Sequence, residues 1–357
     1  MLIIDAHEDI AWNMLTFGRD YTRSALWVRQ CEAGTDIPLR NGNTLLGKAE
    51  WLMGHVGLIF ATLFVAPLRR RVGAWDTQCY ADPHQAYELA SAQLDAYHRL
   101  VDEHQQFCLV STQDDLTQVL ATWEPDQPLE ARRIGLIPLM EGADAVLEPE
   151  QAEEWFERGV RIIGLAWEST RYAGGTHEPG PLTSDGMHLL DVMADLGMIL
   201  DLSHMAEEAY FQALEHYEGA IIASHSNPRR FCPTPRGLSD EMVQALAERD
   251  GVIGVVPYNA FLKPGWRKGD AKEAVTLADV VAAIDHICQV TGSERHVGLG
   301  TDFDGGFGAE HVPAEVDTIA DLLKLEEALA MRGYAPHHIA AIFSGNWLRI
   351  LQSALPA

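Results

Sequence analysis

The sequence predicts an α/β fold, a closed (β/α)8 TIM barrel formed as one domain over residues 1–357, and three observations carry that prediction. Nine short apolar runs rich in Val, Ile and Leu recur along the chain, and most are followed by a longer segment of helical periodicity. That alternation is expected of parallel strands covered by helices. No G-x-G-x-x-G follows any of the runs, so the main signal for an open dinucleotide-binding sheet is missing. With 357 residues and 47% hydrophobic composition, the chain can bury the large core that a barrel requires.

Taken in order, the strand candidates are "LIIDAH", "VGLIFATLFV", "FCLVST", "IGLIPLMEG", "VRIIGLAW", "GMILDLSH", "AIIASHS", "GVIGVVPYN" and "HVGLGTDFDG". Between them, "DPHQAYELASAQLDAYHRLVDEH", "SDEMVQALAERD" and "TLADVVAAIDHICQVTG" read as amphipathic helices. The second of these opens on the cap candidate Ser239 and closes on Gly251. Two connections are unusually long, from Trp12 to about Gly54 and from 170 to 186, and long barrel loops build the mouth of a site. The "RRR" run at 69–71 reads as a solvated face.

The charge balance narrows the partners. Lys and Arg number 26 against 52 Asp and Glu, a formal charge of -26, so nucleic acid and an anionic membrane surface are disfavoured. No basic segment precedes an apolar stretch at the start, and no long apolar tail closes the chain. Together these predict a cytoplasmic protein. The five cysteines, Cys31, Cys79, Cys108, Cys232 and Cys288, show no C-x-x-C spacing and read as reduced, mostly buried thiols. A homodimer is left open.

The chemistry collects at the ends of the apolar runs. His7 and Asp9 end the first, Glu141 the fourth, His204 the sixth, His225 the seventh and Asp302 the last. In a parallel barrel all strand carboxyl ends open onto one face, so side chains scattered along the chain converge. Within "HED" the two-residue period turns His7 and Asp9 to one side and Glu8 away. Imidazole and carboxylate without thiolate suit zinc, with Mn, Co or Fe accommodated by the same ligand types. Glu141 is placed to bridge to a second ion completed by His204 and His225, and two such ions share and activate a hydroxide. Asp302 is either an acid/base group beside that hydroxide or a further ligand. Arg236, in the loop after the strand that carries His225, offers a bidentate fork for a substrate carboxylate.

On these residues the chain resembles the renal or membrane dipeptidase family of binuclear zinc metallopeptidases. The segments "DAHEDI", "LMEGAD", "LTSDGMHLLDVMADLGMILDLSHM", "IIASHSNPR", "AIDHICQVTGSERHVGLGTDFDGG" and "IFSGNWLRIL" look like family segments in family order. The resemblance implies an amidohydrolase-type barrel holding two Zn(2+), one on His7, Asp9 and Glu141 and the other on Glu141, His204 and His225. It implies that Asp302 is the acid/base aspartate, that Arg236 binds the C-terminal carboxylate of a dipeptide, and that Tyr258 serves the same carboxylate.

The chain also departs from the family pattern. Trp167 stands where the family usually places a histidine that binds the oxyanion, and an indole offers one neutral donor and no positive charge. Either Trp167 donates a weaker hydrogen bond or Arg171, Tyr172 or His177 takes that role. Cys232 matches a cysteine that is disulfide-bonded in secreted members, yet no partner of suitable context stands out. The expected activity is hydrolysis of small dipeptides, including ones with a D-residue at the C-terminal position. Trp167 and the "RYAGGTHEPGP" loop leave hydrolysis of another amide, an N-acyl amino acid or a lactone as the alternative. A barrel that binds without turnover is the third reading.

Overall fold

The computed structural model describes residues 1–357. Eight parallel strands form the barrel: β1 (Ile3–Glu8), β2 (Val56–Phe64), β3 (Ile134–Glu141), β4 (Ile162–Gly164), β5 (Ile199–Asp201), β6 (Ile221–Ala223), β7 (Val252–Val255) and β8 (Val297–Leu299). Each pairs with the next, β2 running beside β3 from Leu58↔Gly135 to Phe64↔Glu141. The pair Asp5↔Leu299 joins β8 to β1 and closes the ring. Closure removes the sheet edges and directs every strand carboxyl end to one face. The third apolar run is no stave: Phe107–Leu109 is a short strand lying against the lower part of β3, opposite Ile134–Leu136.

Ile4, Phe60, Ile137, Leu139, Ile162, Ile199, Ile222 and Val252 fall in one buried cluster with Trp347. Residues from opposite sides of a ring meet only through its interior, so this set is the inward face of the barrel. Period two then carries β3 from Leu139 to an inward Glu141. β1 behaves differently. Ile4 and Ala6 occupy the inward set, and a register shift between Asp5 and Glu8 turns His7 to the same centre. Gly300 answers to a close approach, because a Cβ there would lie 1.8 Å from the Ser224 carbonyl oxygen.

The expected helices form around the ring at Pro83–Glu103, Asp240–Glu248 and Leu277–Thr291. Asp82 accepts from Gln85 N–H at 3.1 Å and Ser239 from Met242 N–H at 3.2 Å, each satisfying a first-turn donor that has no partner within its helix. The second helix ends before Gly251: the left-handed residue is Asp250, at φ 57°, one of the few side-chain types that tolerate that region. No helix is long and apolar enough to cross a membrane.

Trp347, on the C-terminal helix Asn346–Ala354, packs edge-on against Phe60 at 5.4 Å and donates its indole N–H to the Leu299 carbonyl at 3.0 Å. It therefore ties that helix to the barrel. Trp347→Ala is expected to cost about 3–5 kcal/mol, the usual range for emptying a large aromatic site. Denaturant unfolding checks this, and an unchanged midpoint contradicts it.

Candidate metal centre

The six predicted side chains do meet. Glu141, at the end of β3, has Oε2 3.5 Å from His7 Nε2. Its Oε1 lies 3.1 Å from His204 Nε2 and 3.3 Å from His225 Nε2. Asp9 Oδ2 is 3.9 Å from His7 Nε2. Three overlapping sets of ligand atoms result, His7–Asp9–Glu141, Glu141–His204–His225 and His7–His225–Asp302, the atoms of each lying within 4.8 Å of one another. All but His204 and Asp302 are fully buried residues, and those two are half-buried.

The surrounding hydrogen bonds determine which ring nitrogens face the centre. Thr176 Oγ1 spends its proton on the His204 carbonyl at 3.2 Å, so it accepts from His204 Nδ1–H at 3.1 Å. Ser224 Oγ donates to Asp201 and therefore accepts from His225 Nδ1–H at 2.8 Å. Both Nε2 lone pairs then point inward, 3.0 Å apart, toward an oxygen of Glu141. His7 Nε2 is buried without any hydrogen-bond partner. Lone pairs crowded together with no proton between them, beside an orphaned imidazole nitrogen, fit a divalent cation, and the hydroxyl and Asp201 partners are the orienting groups that imidazole ligands require.

Charge accounts for the titration behaviour. Burial works against the His7 imidazolium, but Glu141, Asp9 and Asp302 outweigh it and push His7 up to about 9. Burial, followed by the Arg236 charge, brings His204 down to about 4, and burial together with His7 and Arg236 holds His225 well below its usual range. Burial raises Asp9 to about 7, with Glu141 adding to the rise and His7 opposing it. Glu141 goes the other way, since His7, His204 and His225 overcome its burial. Asp302 is pushed well above the carboxylate range by burial, and by Asp9 and Glu141, with His7 opposing the rise.

Asp302 and His204 both sit in the left-handed region, at φ 58° and 65°. Such conformations cost roughly 1–3 kcal/mol each and persist only where the surroundings fix them. Asp302 N–H donates to the His7 carbonyl at 3.0 Å, which locks the two ligand-bearing strand ends together.

These groups floor a cavity of about 370 Å³. Trp12, Phe64, Trp167, Tyr258, Phe261 and Phe307 contribute to its walls, with Arg40, Arg70 and Lys268 also at its lining. Trp167 and Tyr258 thus lie where the sequence places them. Arg236 lies one layer behind: its guanidinium donates to Ser226 Oγ at 2.9 Å and to the His225 carbonyl, stands 5.6 Å from the Phe261 ring, and leaves Nε buried and unpaired. None of the substitutes for Trp167 reaches the cavity. Arg171 and Tyr172 bond to the Val146 carbonyl, and His177 is tied to Glu168 at 2.7 Å.

The loops depart from expectation in an instructive way. The 12–54 connection does build the mouth, through Trp12, Arg40 and Asn41. The 170–186 loop instead backs the site from outside, through Thr176. The segment after β2 supplies Arg70, Val72, Trp75 and Asp76 to the cavity, so the "RRR" run is not a plain solvated face. Arg70 pairs with Glu168 at 3.2 Å. Its only sequence signal was position, directly after a strand end.

Asp304, two residues beyond Asp302, is fully buried and structural. It accepts from Tyr21 OH at 2.6 Å, Arg19 Nη1 at 3.0 Å, Leu45 N–H at 2.9 Å and the Thr44 hydroxyl. Asn13 binds the carbonyls of both Asp9, at 2.8 Å, and Asp304, at 3.0 Å. The long connection is thereby clamped to the ligand-bearing loops.

A closed parallel barrel with a buried His/Asp/Glu set at its carboxyl face is a scaffold able to hold divalent cations. Comparison with known families then narrows the class: residues 1–355 match the model of the Membrane dipeptidase family (peptidase family M19), and the chain belongs to it. A protein encoded in the pqqA 5′ region of Klebsiella pneumoniae is 32% identical over 63% of this chain and 83% of its own length. The dipeptidase verJ of Clonostachys rogersoniana is 28% identical over 84% of this chain and 73% of its own length. Among solved structures, a metallopeptidase from Rhodobacter sphaeroides liganded with a phosphinate mimic of L-Ala-D-Ala superposes with a TM-score of 0.81, at 20% identity and 99% coverage of both chains.

Two expectations follow from this geometry. Loading the metal-free protein with a divalent ion releases protons near neutral pH, because His7, held protonated up to about 9, and Asp9, up to about 7, must give up protons to ligate. Metal affinity therefore rises with pH through that interval, and calorimetry in two buffers of different ionisation enthalpy reads the proton count; zero release contradicts it. Asp304→Ala leaves the buried Tyr21 hydroxyl and Leu45 N–H without their acceptor, while Arg19 keeps Glu32, and is expected to cost about 1–3 kcal/mol, with proteolytic sensitivity appearing within 12–54.

Proposed function

We propose that this chain is a zinc-dependent dipeptidase that binds two ions per chain, one held by His7, Asp9 and Glu141 and the other by Glu141, His204 and His225. The observation that carries this reading is the single buried Glu141 carboxylate, which faces three imidazole Nε2 atoms at 3.1–3.5 Å. When bound, such ions polarise a carbonyl and make water a nucleophile at neutral pH. Everything else is supplied by the chain.

The ligand atom of Asp302 lies within 4.8 Å of those of His7 and His225. It accepts a proton from the attacking water and delivers one to the leaving amine, the two halves of general acid/base catalysis. Tyr258, at the cavity wall, takes the free C-terminal carboxylate, with the Arg236 charge one layer behind it against Phe261. Burial pushes the Tyr258 phenol up to about 12, so it remains a hydrogen-bond donor. Trp167 lines the cavity in place of the family's oxyanion histidine, and its indole has one neutral donor to offer. The aromatic lining excludes water from the reacting bond.

The five free cysteines support a reducing, cytoplasmic setting. The neutral donor at Trp167 favours a second reading, in which the scissile bond is that of an N-acyl amino acid or a lactone.

Asp302→Asn is expected to retain bound metal while lowering kcat by about 10²–10⁴. Full activity in that variant removes Asp302 from the mechanism. A panel of L-Xaa-L-Xaa and L-Xaa-D-Xaa dipeptides, beside N-acyl amino acids and lactones, separates the two readings. Turnover of dipeptides by zinc-reloaded protein carries the first, and turnover confined to the other substrates carries the second.

A further inference from the structure

We propose that the cavity selects dipeptides whose C-terminal residue bears an acidic side chain, and that Lys268 is the residue that pairs with it. This rests on the dipeptidase reading above and adds to it a substrate class. The motivation is a cation without a partner. The cavity lining holds three cations, Arg40, Arg70 and Lys268, beside the carboxylates Asp9, Asp76, Glu141 and Asp302.

Two of the three are already spoken for. Arg40 pairs with Asp36 across one helical turn and lies over the Trp75 ring at 5.4 Å. Arg70 pairs with Glu168 at 3.2 Å and reaches Glu178 at 3.8 Å. Lys268 has no carboxylate partner; its Nζ donates to the Gly306 carbonyl at 2.6 Å, which leaves two of the three ammonium protons free. The carboxylate whose charge acts on it is Asp302, which lines the same cavity without forming an ion pair with it.

Position fixes which end of the substrate Lys268 meets. Tyr258 stacks on Phe307 at 4.4 Å and meets Phe261 at 5.0 Å, forming one aromatic wall. Arg236 lies behind that wall against Phe261, whereas Lys268 is bonded to the residue next to Phe307 at its outer edge. A dipeptide whose terminal carboxylate is bound by Tyr258 lays its C-terminal side chain along this wall toward Lys268. A carboxylate there forms a charge-assisted bond, an amide forms a weaker one, and an ammonium is repelled.

The test is kcat/KM on Ala-Asp, Ala-Asn, Ala-Ala and Ala-Lys, each with an L- or D-residue at the C-terminus, using the metal-loaded full chain. The wild type is expected to favour Asp over Asn by about tenfold, the scale of one hydrogen bond to a charged group. Lys268→Met brings that ratio near one, and Lys268→Glu turns the preference toward Lys. Because the ratio compares two substrates on one protein, a general loss of activity in a variant cancels. Equal turnover of Ala-Asp and Ala-Asn by the wild type overturns the proposal while leaving the dipeptidase reading intact, and a ratio that persists in Lys268→Met overturns the role of Lys268. No cleavage of any dipeptide removes the underlying reading and this proposal with it.

Discussion

One carboxylate, Glu141, stands between three imidazoles at the floor of the cavity, and the rest of the molecule is arranged to keep it there. Asp9 and Asp302 crowd the same space, so like charges meet where little solvent screens them. Such a cluster is unstable as bare charge. Burial set against the neighbouring charges displaces His7, Asp9 and Asp302 upward and His204 and His225 downward from their ordinary ranges.

The barrel makes that crowding affordable by rigidity. Closure through Asp5↔Leu299 leaves no free edge, and buried carboxylates stitch adjacent strand ends together. Asp5 accepts from Thr301 N–H at 2.7 Å, linking β1 to the turn after β8. Asp201 accepts from Ser224 N–H at 2.9 Å, linking β5 to the end of β6 and orienting His225 through Ser224. The same side chains that hold the staves in register therefore aim the ligands.

Much of this was legible in the sequence, because a parallel barrel converts order along the chain into convergence in space. His7, Asp9, Glu141, His204, His225 and Asp302 could be identified from their places at the ends of apolar runs alone. Glu8 was rightly turned away; it accepts from the Trp51 indole at 3.0 Å. What could not be read was anything governed by loops. The register shift that frees His7 has no sequence signature, the cavity role of the segment carrying Arg70 and Trp75 depends on how it folds back, and the structural role of Asp304 depends on Arg19 and Tyr21 coming within reach from a distant loop. Arg236 was correctly placed in its loop, but its own bonds to Ser226 and His225 set it behind the cavity wall.

The central claim is that this converged set is a two-ion site centred on Glu141. Anomalous diffraction at the zinc absorption edge, from crystals of zinc-loaded protein, tests it directly. The account predicts two peaks that share Glu141, one completed by His7 and Asp9 and the other by His204 and His225. A single peak away from Glu141, or none in the presence of saturating zinc, would contradict it.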